Sequence, residues 1–418
     1  MEPGPAEADR QYAMAGYPRI LSAIILAAVL LRLALLTYGE QRPTRFDFPD
    51  SHRYLRVARN IADGRGPIDS ETVRAGTDPV YPTLLAIGIK LGAESDEAVF
   101  RFGRIINAAF SIIAVLIIAA LARRIGGDTA GLFAAALMAI DPISLFFNGL
   151  VLTETVYVTL LLAAVYSLSR LGGSRAPTFA LVAGLLLGAG ALTRSTSLFL
   201  IVVLIPTAVL IARPRKRWTC AALVLLGSAI TIAPIVIRNY RLFGQFVPVR
   251  TGSGPSLMEA LGSWADGGPG MDRIVYPPIP ESASEVERDR ICRAAAWDWA
   301  QSHPPEVIRL AFVKLGRTWS PFMHAEGYAS GAYQAIAAIS TLPVYLLALV
   351  GAFLLRRRPA ELLLLMAPVL YFTLVHTVFV GSVRYRVPMM PMLFVLAAVA
   401  VEHLRGMRRS GRPAARGD

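Results

Sequence analysis

The stretches ILSAIILAAVLL at residues 20–31 and LFLIVVLIPTAVLIA at residues 198–212 decide the class of fold, because each is a long apolar run without a charged residue. A helix needs roughly 20 apolar residues to cross the ~30 Å hydrocarbon layer of a bilayer. Of the 418 residues, 55% are hydrophobic and only 17% are charged, against roughly 25% charged residues in average soluble proteins. The sequence therefore predicts an all-α, polytopic bundle of transmembrane helices.

About ten spans are predicted from the apolar runs. They cover residues 19–38, 104–122, 128–147, 151–169, 177–193, 196–212, 218–237, 333–355, 360–381 and 387–404. Together they form a single transmembrane domain, residues 1–404, followed by a basic tail, residues 405–418. The first run begins near Ile20 and has no small-residue cleavage site after it, so we expect a retained helix and not a removed signal peptide.

The distribution of basic residues predicts the orientation in the membrane. Many basic residues fall in short clusters between the apolar runs, at residues 123–124, 170, 175, 213–217 and 356–358 and in the tail. Because cytoplasmic loops carry an excess of lysine and arginine, both termini are predicted to be cytoplasmic. The net charge of +13 follows from this pattern, so we expect membrane lipids and no nucleic acid as partners.

Two long polar stretches, residues 39–103 and 238–332, are then extracytoplasmic loops. The first contains a helix that follows Pro49-Asp50-Ser51 and ends at Gly64, with an apolar face predicted to lie along the membrane surface. The second is predicted to form helices from about Ser282 to Ser302 and from Pro305 to Trp319. Cys220 and Cys292 would lie on opposite sides of the membrane and should not pair.

Asp50 is a candidate catalytic residue in the first outer loop. A carboxylate just outside the bilayer can deprotonate an acceptor hydroxyl or amine as a general base. Arg53 and Tyr54 follow one helical turn later and should face the same way. The alternative is that Asp50 only caps its helix, and Asp47 is a nearby competitor for the catalytic role.

Three further charged residues lie at the outer rim or within a span. Glu154 and Asp141 are acidic groups near the outer ends of spans, where they are costly unless paired or bound to a cation. The alternatives are an N-cap at Glu154 and a helix stop at Asp141. Arg32 lies inside the first apolar run, where it either serves a functional site or extends its side chain to the outer headgroups.

Cytoplasmic loops carry an excess of lysine and arginine, which we call the charge rule. Arg194, Arg384 and Arg386 are exceptions to this rule, because they lie in short outer connections. A phosphate is a natural partner, since arginine offers a planar fork of donors. Lipid headgroups are the alternative partner. Arg74 is a further outer base that could contact a phosphate. His303, His324 and His376 lack metal-ligand spacing, so no metal-binding residue is predicted.

Several motifs, in order along the chain, resemble those of bacterial multi-span glycosyltransferases of the GT-C fold, which include protein O-mannosyltransferase-like and aminoarabinose-transferase-like groups (glycosyltransferase families 39 and 83). They are Asp50-Ser51-His52-Arg53-Tyr54-Leu55, Asp78-Pro79-Val80-Tyr81-Pro82, Leu152-Thr153-Glu154, Leu192-Thr193-Arg194, Arg238-Asn239-Tyr240, Ser302-His303-Pro304 and Arg384-Tyr385-Arg386 with Pro388. The resemblance covers most of the chain. It departs from the family at Thr77-Asp78, where a second proline is common.

The resemblance implies an integral membrane glycosyltransferase. Its donor would be a sugar on a polyprenyl phosphate, its acceptor a glycan, lipid or protein, and its active site would face outward from a bacterial cytoplasmic membrane. Asp50 would be the catalytic base of an inverting transfer, with Glu154 assisting. The substrate-binding residues would be Arg53, Tyr54, Arg74, Tyr81, Arg194, Arg384, Tyr385 and Arg386. The resemblance implies no certain cofactor, and it leaves a divalent cation open, because some members of the family use a metal and others do not.

Two other classes of function remain open at this point. A transporter or flippase of lipid-linked saccharides would need a polar route through the bilayer, and beyond Arg32 the spans are too apolar to contain one. A non-catalytic membrane scaffold is the third class. Convergence of Asp50, Glu154 and Arg384 at one outer site would favour the enzyme, and scattered positions would count against it.

Overall fold

The described part of the chain consists of α-helices joined by loops, without a β-strand. The computed structural model describes residues 5–42, 46–323 and 330–410, so His324 and the end of the basic tail lie outside the described residues. The helices of the first half are Pro5–Gln41 (α1), Pro49–Ala62 (α2), Val80–Lys90 (α3), Asp96–Gly126 (α4), Asp128–Ile140 (α5), Pro142–Gly149 (α6), Glu154–Ser169 (α7), Ala176–Thr193 (α8), Leu200–Val203 (α9) and Ile205–Ile211 (α10). Those of the second half are Arg217–Phe243 (α11), Ser253–Ala260 (α12), Glu285–Ser302 (α13), Pro304–Trp319 (α14), Gly331–Leu354 (α15), Pro359–Val378 (α16), Val383–Arg386 (α17) and Met390–Ser410 (α18).

Most of the predicted spans are helices long and apolar enough to cross a membrane. Among the described residues there are seven such helices, within α1, α4, α8, α11, α15, α16 and α18. The predicted span 128–147 is a pair, α5 and α6, bent by 49° at Asp141. The protein is therefore a multi-pass membrane protein with an all-α fold, as predicted. The two remaining predicted spans, 151–169 and 196–212, are shorter apolar helices.

One end of the bundle, here called the basic end, gathers the short basic loops. The guanidinium of Arg123 lies 4.2 Å from the ring centre of Tyr17 on α1. Arg405 on α18 donates to the hydroxyl of Thr129 at 2.7 Å, and Arg358 donates to the carbonyl of Ile125 at 2.7 Å. The first and the last spanning helix therefore meet at the same end of the bundle. That this end faces the cytoplasm stays a prediction of the charge rule.

The two long polar stretches meet at the opposite end of the bundle, here called the loop end. There the amide of Thr251 donates to the carbonyl of Ala75 at 2.9 Å. Helix α7 begins at this end and reaches the basic end, where the carbonyl of Ser169 accepts from Arg124 at 3.0 Å. The short helices between residues 195 and 211 also connect both ends, since Arg213, just after them, donates to the carbonyl of Gly172 at 3.1 Å. These contacts support a traverse of the bundle by both shorter predicted spans.

Arg32 neither reaches the headgroups nor joins a functional site. Its side chain is buried, and it donates to Ser111 Oγ at 3.0 Å and to the carbonyl of Met138 at 3.2 Å, as well as to the carbonyl of Ala139. Pro142 has no N–H to offer the carbonyl four residues earlier, so the break between α5 and α6 leaves Met138 without its helical donor. Arg32 supplies the missing hydrogen-bond donors, because water is not available inside the bundle to supply them.

Replacing Arg32 by methionine should therefore destabilise the protein without a specific effect on its chemistry. Each buried carbonyl left without a donor costs about 1–3 kcal/mol, so the thermal unfolding temperature in detergent should fall clearly. Arg19→Met, an exposed arginine on the same helix, is the control and should unfold like the wild type. An Arg32→Met variant with unchanged unfolding and lost activity would instead return Arg32 to the functional candidates.

Helix α2 differs from the prediction in what covers its apolar face. It ends as predicted, with Gly64 in the left-handed conformation at φ +80°, which glycine adopts without strain. Its apolar face, however, does not lie on the membrane surface. Leu55 and Ala58 are buried against Tyr81 and Leu85 of α3, because α3 is itself apolar and occupies the place that lipid was expected to take.

The two helices predicted in the second polar stretch are present to within a few residues, whereas α12, Ser253–Ala260, was not predicted. Helix α13 begins after Ser284, whose hydroxyl caps it by accepting from the amide of Glu287 at 3.2 Å, and α14 follows directly at Pro304. Cys220 and Cys292 are both free and buried, so the prediction that they do not pair is confirmed.

Candidate active site

Four charged side chains from distant parts of the chain form a continuous ladder at the loop end. Arg384 Nη1 lies 2.8 Å from Asp50 Oδ2, and Arg384 Nε donates to Glu154 Oε1. The same carboxylate oxygen accepts from Arg194 Nη1 at 2.7 Å. We call this set, Asp50–Arg384–Glu154–Arg194, the charge ladder. It brings together two residues predicted to be catalytic and two predicted to bind substrate.

Glu154 is the centre of the ladder, and its side chain is fully buried. A buried carboxylate is strongly unfavourable unless it is paired and hydrogen-bonded, and two guanidiniums meet that need here. Thr153, not Glu154, is the N-cap residue of α7, so capping does not explain Glu154. Its second oxygen, Oε2, is buried and has no hydrogen-bond partner among the described residues.

Asp50 lies near the start of α2, but it does not cap that helix. The N-cap residue is Phe48, and no side chain makes a cap hydrogen bond there. The carboxylate of Asp50 points instead to Arg384, and its side chain remains 35% exposed, which is accessible to a second substrate. Asp47, the competing carboxylate, is directed away from the ladder and contacts His52 at 2.6 Å.

Aromatic side chains border the ladder. Tyr54, one turn after Asp50, packs edge-on against Tyr81 with ring centres 5.5 Å apart. Tyr385 stacks on His376 at 4.2 Å, and the guanidinium of Arg194 lies 5.9 Å from the centre of the Tyr385 ring. Burial raises the pKa of Tyr54 and that of Tyr385, so both phenols stay protonated at neutral pH and can donate a hydrogen bond.

Three predicted substrate-binding arginines are not part of the ladder. Arg53 faces Asp69 at 3.9 Å on the exposed side of α2. Arg74 is exposed, and its guanidinium donates to the carbonyl of Glu71 at 3.3 Å. Arg386 is fully buried and donates to the hydroxyl of Tyr345 at 3.0 Å and to the carbonyl of Ser320. In this conformation each of the three arginines contacts a group outside the ladder.

Asp141 takes the simpler of its two predicted roles. Its carboxylate accepts from the amide of Ser144 at 2.8 Å and so caps α6. The helix stop that the sequence indicated at Asp141 is therefore confirmed, and the next helix begins from the same residue.

Glu259 borders the site and was not predicted. It lies on α12, its Oε1 accepts from the amide of Gly270 at 2.8 Å, and its neighbours Met258 and Ala260 belong to an apolar cluster that includes Tyr385. Burial raises the pKa of Glu259, opposed by the Gly270 hydrogen bond and reinforced by the charge of Asp50. No motif or charge-rule exception marks this residue, so the sequence offered no signal for it.

A divalent cation would need several oxygen ligands. Asp50 and Glu154 supply carboxylates at the ladder, but both are directed at Arg384. Within residues 5–42, 46–323 and 330–410, no three His, Cys, Asp or Glu side chains are grouped as a metal site.

Comparison with solved structures defines the class of fold. The archaeal oligosaccharyltransferase AglB from Archaeoglobus fulgidus, solved with an inhibitory peptide and a dolichol-phosphate, matches with a TM-score of 0.60 and 14% identity over 95% of this chain and 52% of that chain. An oligosaccharyltransferase from Archaeoglobus fulgidus in complex with Zn and sulfate gives a TM-score of 0.52 and 14% identity over 92% of this chain and 51% of that chain. The chain thus spans about half the length of these relatives, and its fold is the GT-C fold.

The family model for dolichyl-phosphate-mannose-protein mannosyltransferases matches residues 76–238. This segment is less than half of the chain, and it contains Glu154 and Arg194 but neither Asp50 nor Arg384. ArnT from Cupriavidus metallidurans, bound to undecaprenyl phosphate, aligns over 95% of this chain and 79% of its own at 15% identity, with a TM-score of only 0.40. No curated protein sequence gives a significant match to the chain.

Proposed function

We propose that this protein is an inverting glycosyltransferase that moves a sugar from a polyprenyl-phosphate donor to an acceptor on the outer side of a bacterial cytoplasmic membrane. The observation that carries the proposal is the charge ladder. Asp50, Glu154, Arg194 and Arg384 come from four separate segments, yet they converge at one end of a GT-C fold. A purely structural role could explain the buried pair of Glu154 and Arg194. It does not explain why Asp50, at one end of the ladder, is left partly exposed.

The proposed transfer is a single displacement. The acceptor oxygen or nitrogen attacks C1 of the sugar, while Asp50 accepts the acceptor's proton as general base. The bond between C1 and the phosphate oxygen breaks, and the polyprenyl phosphate leaves with the electron pair. Arg384 occupies Oδ2 of Asp50, so Oδ1 is the oxygen that an acceptor would reach. Attack opposite the leaving group inverts the configuration at C1.

The arginines would stabilise the departing phosphate, since preorganised charge at the leaving group is often the largest catalytic contribution. A guanidinium has five N–H donors, and the ladder contacts engage only Nε and Nη1 of Arg384 and Nη1 of Arg194. Glu154 would hold both guanidiniums in position. Its role is therefore proposed as positioning, and a divalent cation is not needed for any step.

The transporter alternative receives less support. A translocation route needs polar groups along the depth of the membrane, and Arg32, the candidate in the middle of a span, is bound to backbone carbonyls at a helix break. The polar groups of the ladder lie at one end only, which suits chemistry at the membrane surface.

The decisive experiment supplies the purified protein with undecaprenyl-phosphate-linked mannose, glucose and galactose in separate reactions and measures release of undecaprenyl phosphate with a mixture of glycan, lipid and peptide acceptors. We expect release with at least one donor and a rate of release about 10²–10⁴-fold lower with Asp50→Asn. Movement of intact donor between the leaflets of a vesicle, without cleavage, would instead support a flippase.

The orientation can be tested with single cysteines, because both native cysteines are buried and can be replaced by alanine. The exposed positions Glu281 and Arg215 lie in the second outer loop and in a short basic loop. We expect a membrane-impermeant thiol reagent to label Glu281→Cys in intact cells and Arg215→Cys only after lysis. The reverse pattern would place the ladder on the cytoplasmic side and contradict the outward-facing site.

A further inference from the structure

A second pair of charged side chains lies beside the ladder. Arg250 Nε is 3.8 Å from Asp78 Oδ2 and donates to Ser195 Oγ at 3.0 Å, while Arg250 Nη1 donates to the carbonyl of Gly76 at 3.1 Å. Ser195 directly follows Arg194, which is part of the ladder. The pair is therefore separated from the charge ladder by a single residue.

Asp78 has one carboxylate oxygen without a hydrogen-bond partner, while Ser195 interacts with the carboxylate through its backbone and its side chain. A separation of 3.8 Å is an ion pair but too long for a hydrogen bond. Asp78 Oδ1 is buried without a hydrogen-bond partner among the described residues, and so are the hydroxyls of Thr77 and Thr196 next to the pair. Burial raises the pKa of Asp78 against the opposing effects of Arg250 and Ser195. Buried polar atoms without a partner usually bind a ligand or an ordered water.

The two segments that carry the pair are held firmly by α13. Glu285 accepts from the amides of Arg74 and Ala75 at 2.7 and 3.1 Å, and also from the hydroxyl of Thr251. One turn later, Asp289 accepts from the amide of Gly252 at 2.8 Å. Asp78 and Arg250 thus extend from two segments that share one support, which is the preorganisation expected of a binding site.

We propose that Asp78, Arg250 and Ser195 form a subsite that binds hydroxyl groups of the donor's sugar. The proposal rests on the proposed glycosyl transfer and assigns the sugar-selecting residues within it. The side chains of Asp78 and Arg250 are 14% and 28% exposed, so the subsite is open on one side. Rotation about χ2, which is soft in aspartate, can present either carboxylate oxygen to a ligand.

The chemistry of the pair favours hydroxyl groups over a phosphate. The carboxylate of Asp78 would repel a second anion, and like-charge contacts of this kind exclude wrong ligands. A sugar hydroxyl is both a donor and an acceptor, so it can donate to Asp78 and accept from Arg250.

The test compares Asp78→Asn with wild type on undecaprenyl-phosphate-linked mannose, glucose and galactose, which differ in the orientation of single hydroxyl groups. Loss of a charged hydrogen bond should lower kcat/KM for the preferred donor about 10- to 100-fold, with a much smaller change for the poorer donors, so the preference between donors collapses. Inhibition by undecaprenyl phosphate, which carries no sugar, should be unchanged. Asp266→Asn, from an exposed pair with Arg273 at 2.9 Å, is the matched control and should keep the preference.

Other outcomes overturn the subsite. An unchanged donor preference in Asp78→Asn would refute it, and so would a change confined to the acceptor's KM, which would assign the pair to the acceptor. If Asp78→Asn weakened inhibition by undecaprenyl phosphate as much as it lowered kcat/KM for the donor, the pair would be assigned to the phosphate. If Asp78→Asn does not fold, Ser195→Ala should shift the preference in the same direction, and no shift would refute the subsite. Release from no donor by the wild type would refute the proposed function itself, which separates the two failures.

Discussion

Replacement of Asp50 by asparagine is expected to lower turnover about 10²–10⁴-fold, the usual contribution of a positioned general base. Asparagine has nearly the same size and can still accept a hydrogen bond from Arg384, but it cannot take up the acceptor's proton. Because Asp50 is not the N-cap of α2, the substitution should leave the helix intact. Unfolding temperature and donor binding should therefore remain close to those of the wild type while the rate of sugar transfer falls.

Asp47→Asn is the control for this experiment, since Asp47 contacts His52 and not the ladder. We expect at most a small change in its turnover. Near-normal turnover in Asp50→Asn combined with a collapse in Asp47→Asn would identify Asp47 as the base. Normal turnover in both variants would remove the first outer loop from the chemistry.

Arg384 is the second position at which a large effect is expected, because it contacts both carboxylates of the ladder. Arg384→Lys keeps the charge but loses the planar fork, and we expect the apparent KM for the donor to rise about tenfold. Arg384→Ala leaves the buried Glu154 with Arg194 as its one remaining arginine in the ladder. Breaking a buried pair costs about 3–5 kcal/mol, so this variant should lose both stability and nearly all activity.

Arg53→Lys is a suitable comparison for Arg384→Lys, since Arg53 was predicted to bind substrate but faces Asp69 on the exposed side of α2. Its donor kinetics should stay within twofold of those of the wild type. Unchanged donor KM in Arg384→Lys would show that the phosphate binds elsewhere, and Arg194 would be the next residue to test.

The class of fold could be predicted because hydrophobicity over 20 residues is a local property that needs no knowledge of contacts. The shorter helices were harder. Helix α7 has 16 residues, and only its contacts at both ends support a full traverse. The packing of α3 on the apolar face of α2 could not be predicted, because an amphipathic helix fits a lipid surface and a neighbouring apolar helix equally well.

The individual site residues could be predicted more easily than their pairing. Arg194 and Arg384 stood out because they violate the charge rule, and Glu154 because a carboxylate at a span end needs a partner. That they partner one another across 40 and 230 positions depends on packing. Arg386 showed the same sequence signal as Arg384, yet side chains two positions apart on a helix do not face each other, and Arg386 is directed to Tyr345.

The ladder has a consequence for how the donor arrives. Its two carboxylates and two guanidiniums cancel, so it projects little long-range potential and cannot steer a distant anion as a uniformly basic cleft does. The donor would have to approach by lateral diffusion within the bilayer, guided by its hydrocarbon tail, and meet the guanidiniums only at contact distance. The rate of productive encounter should accordingly depend on the donor's mole fraction in the membrane and respond only weakly to ionic strength.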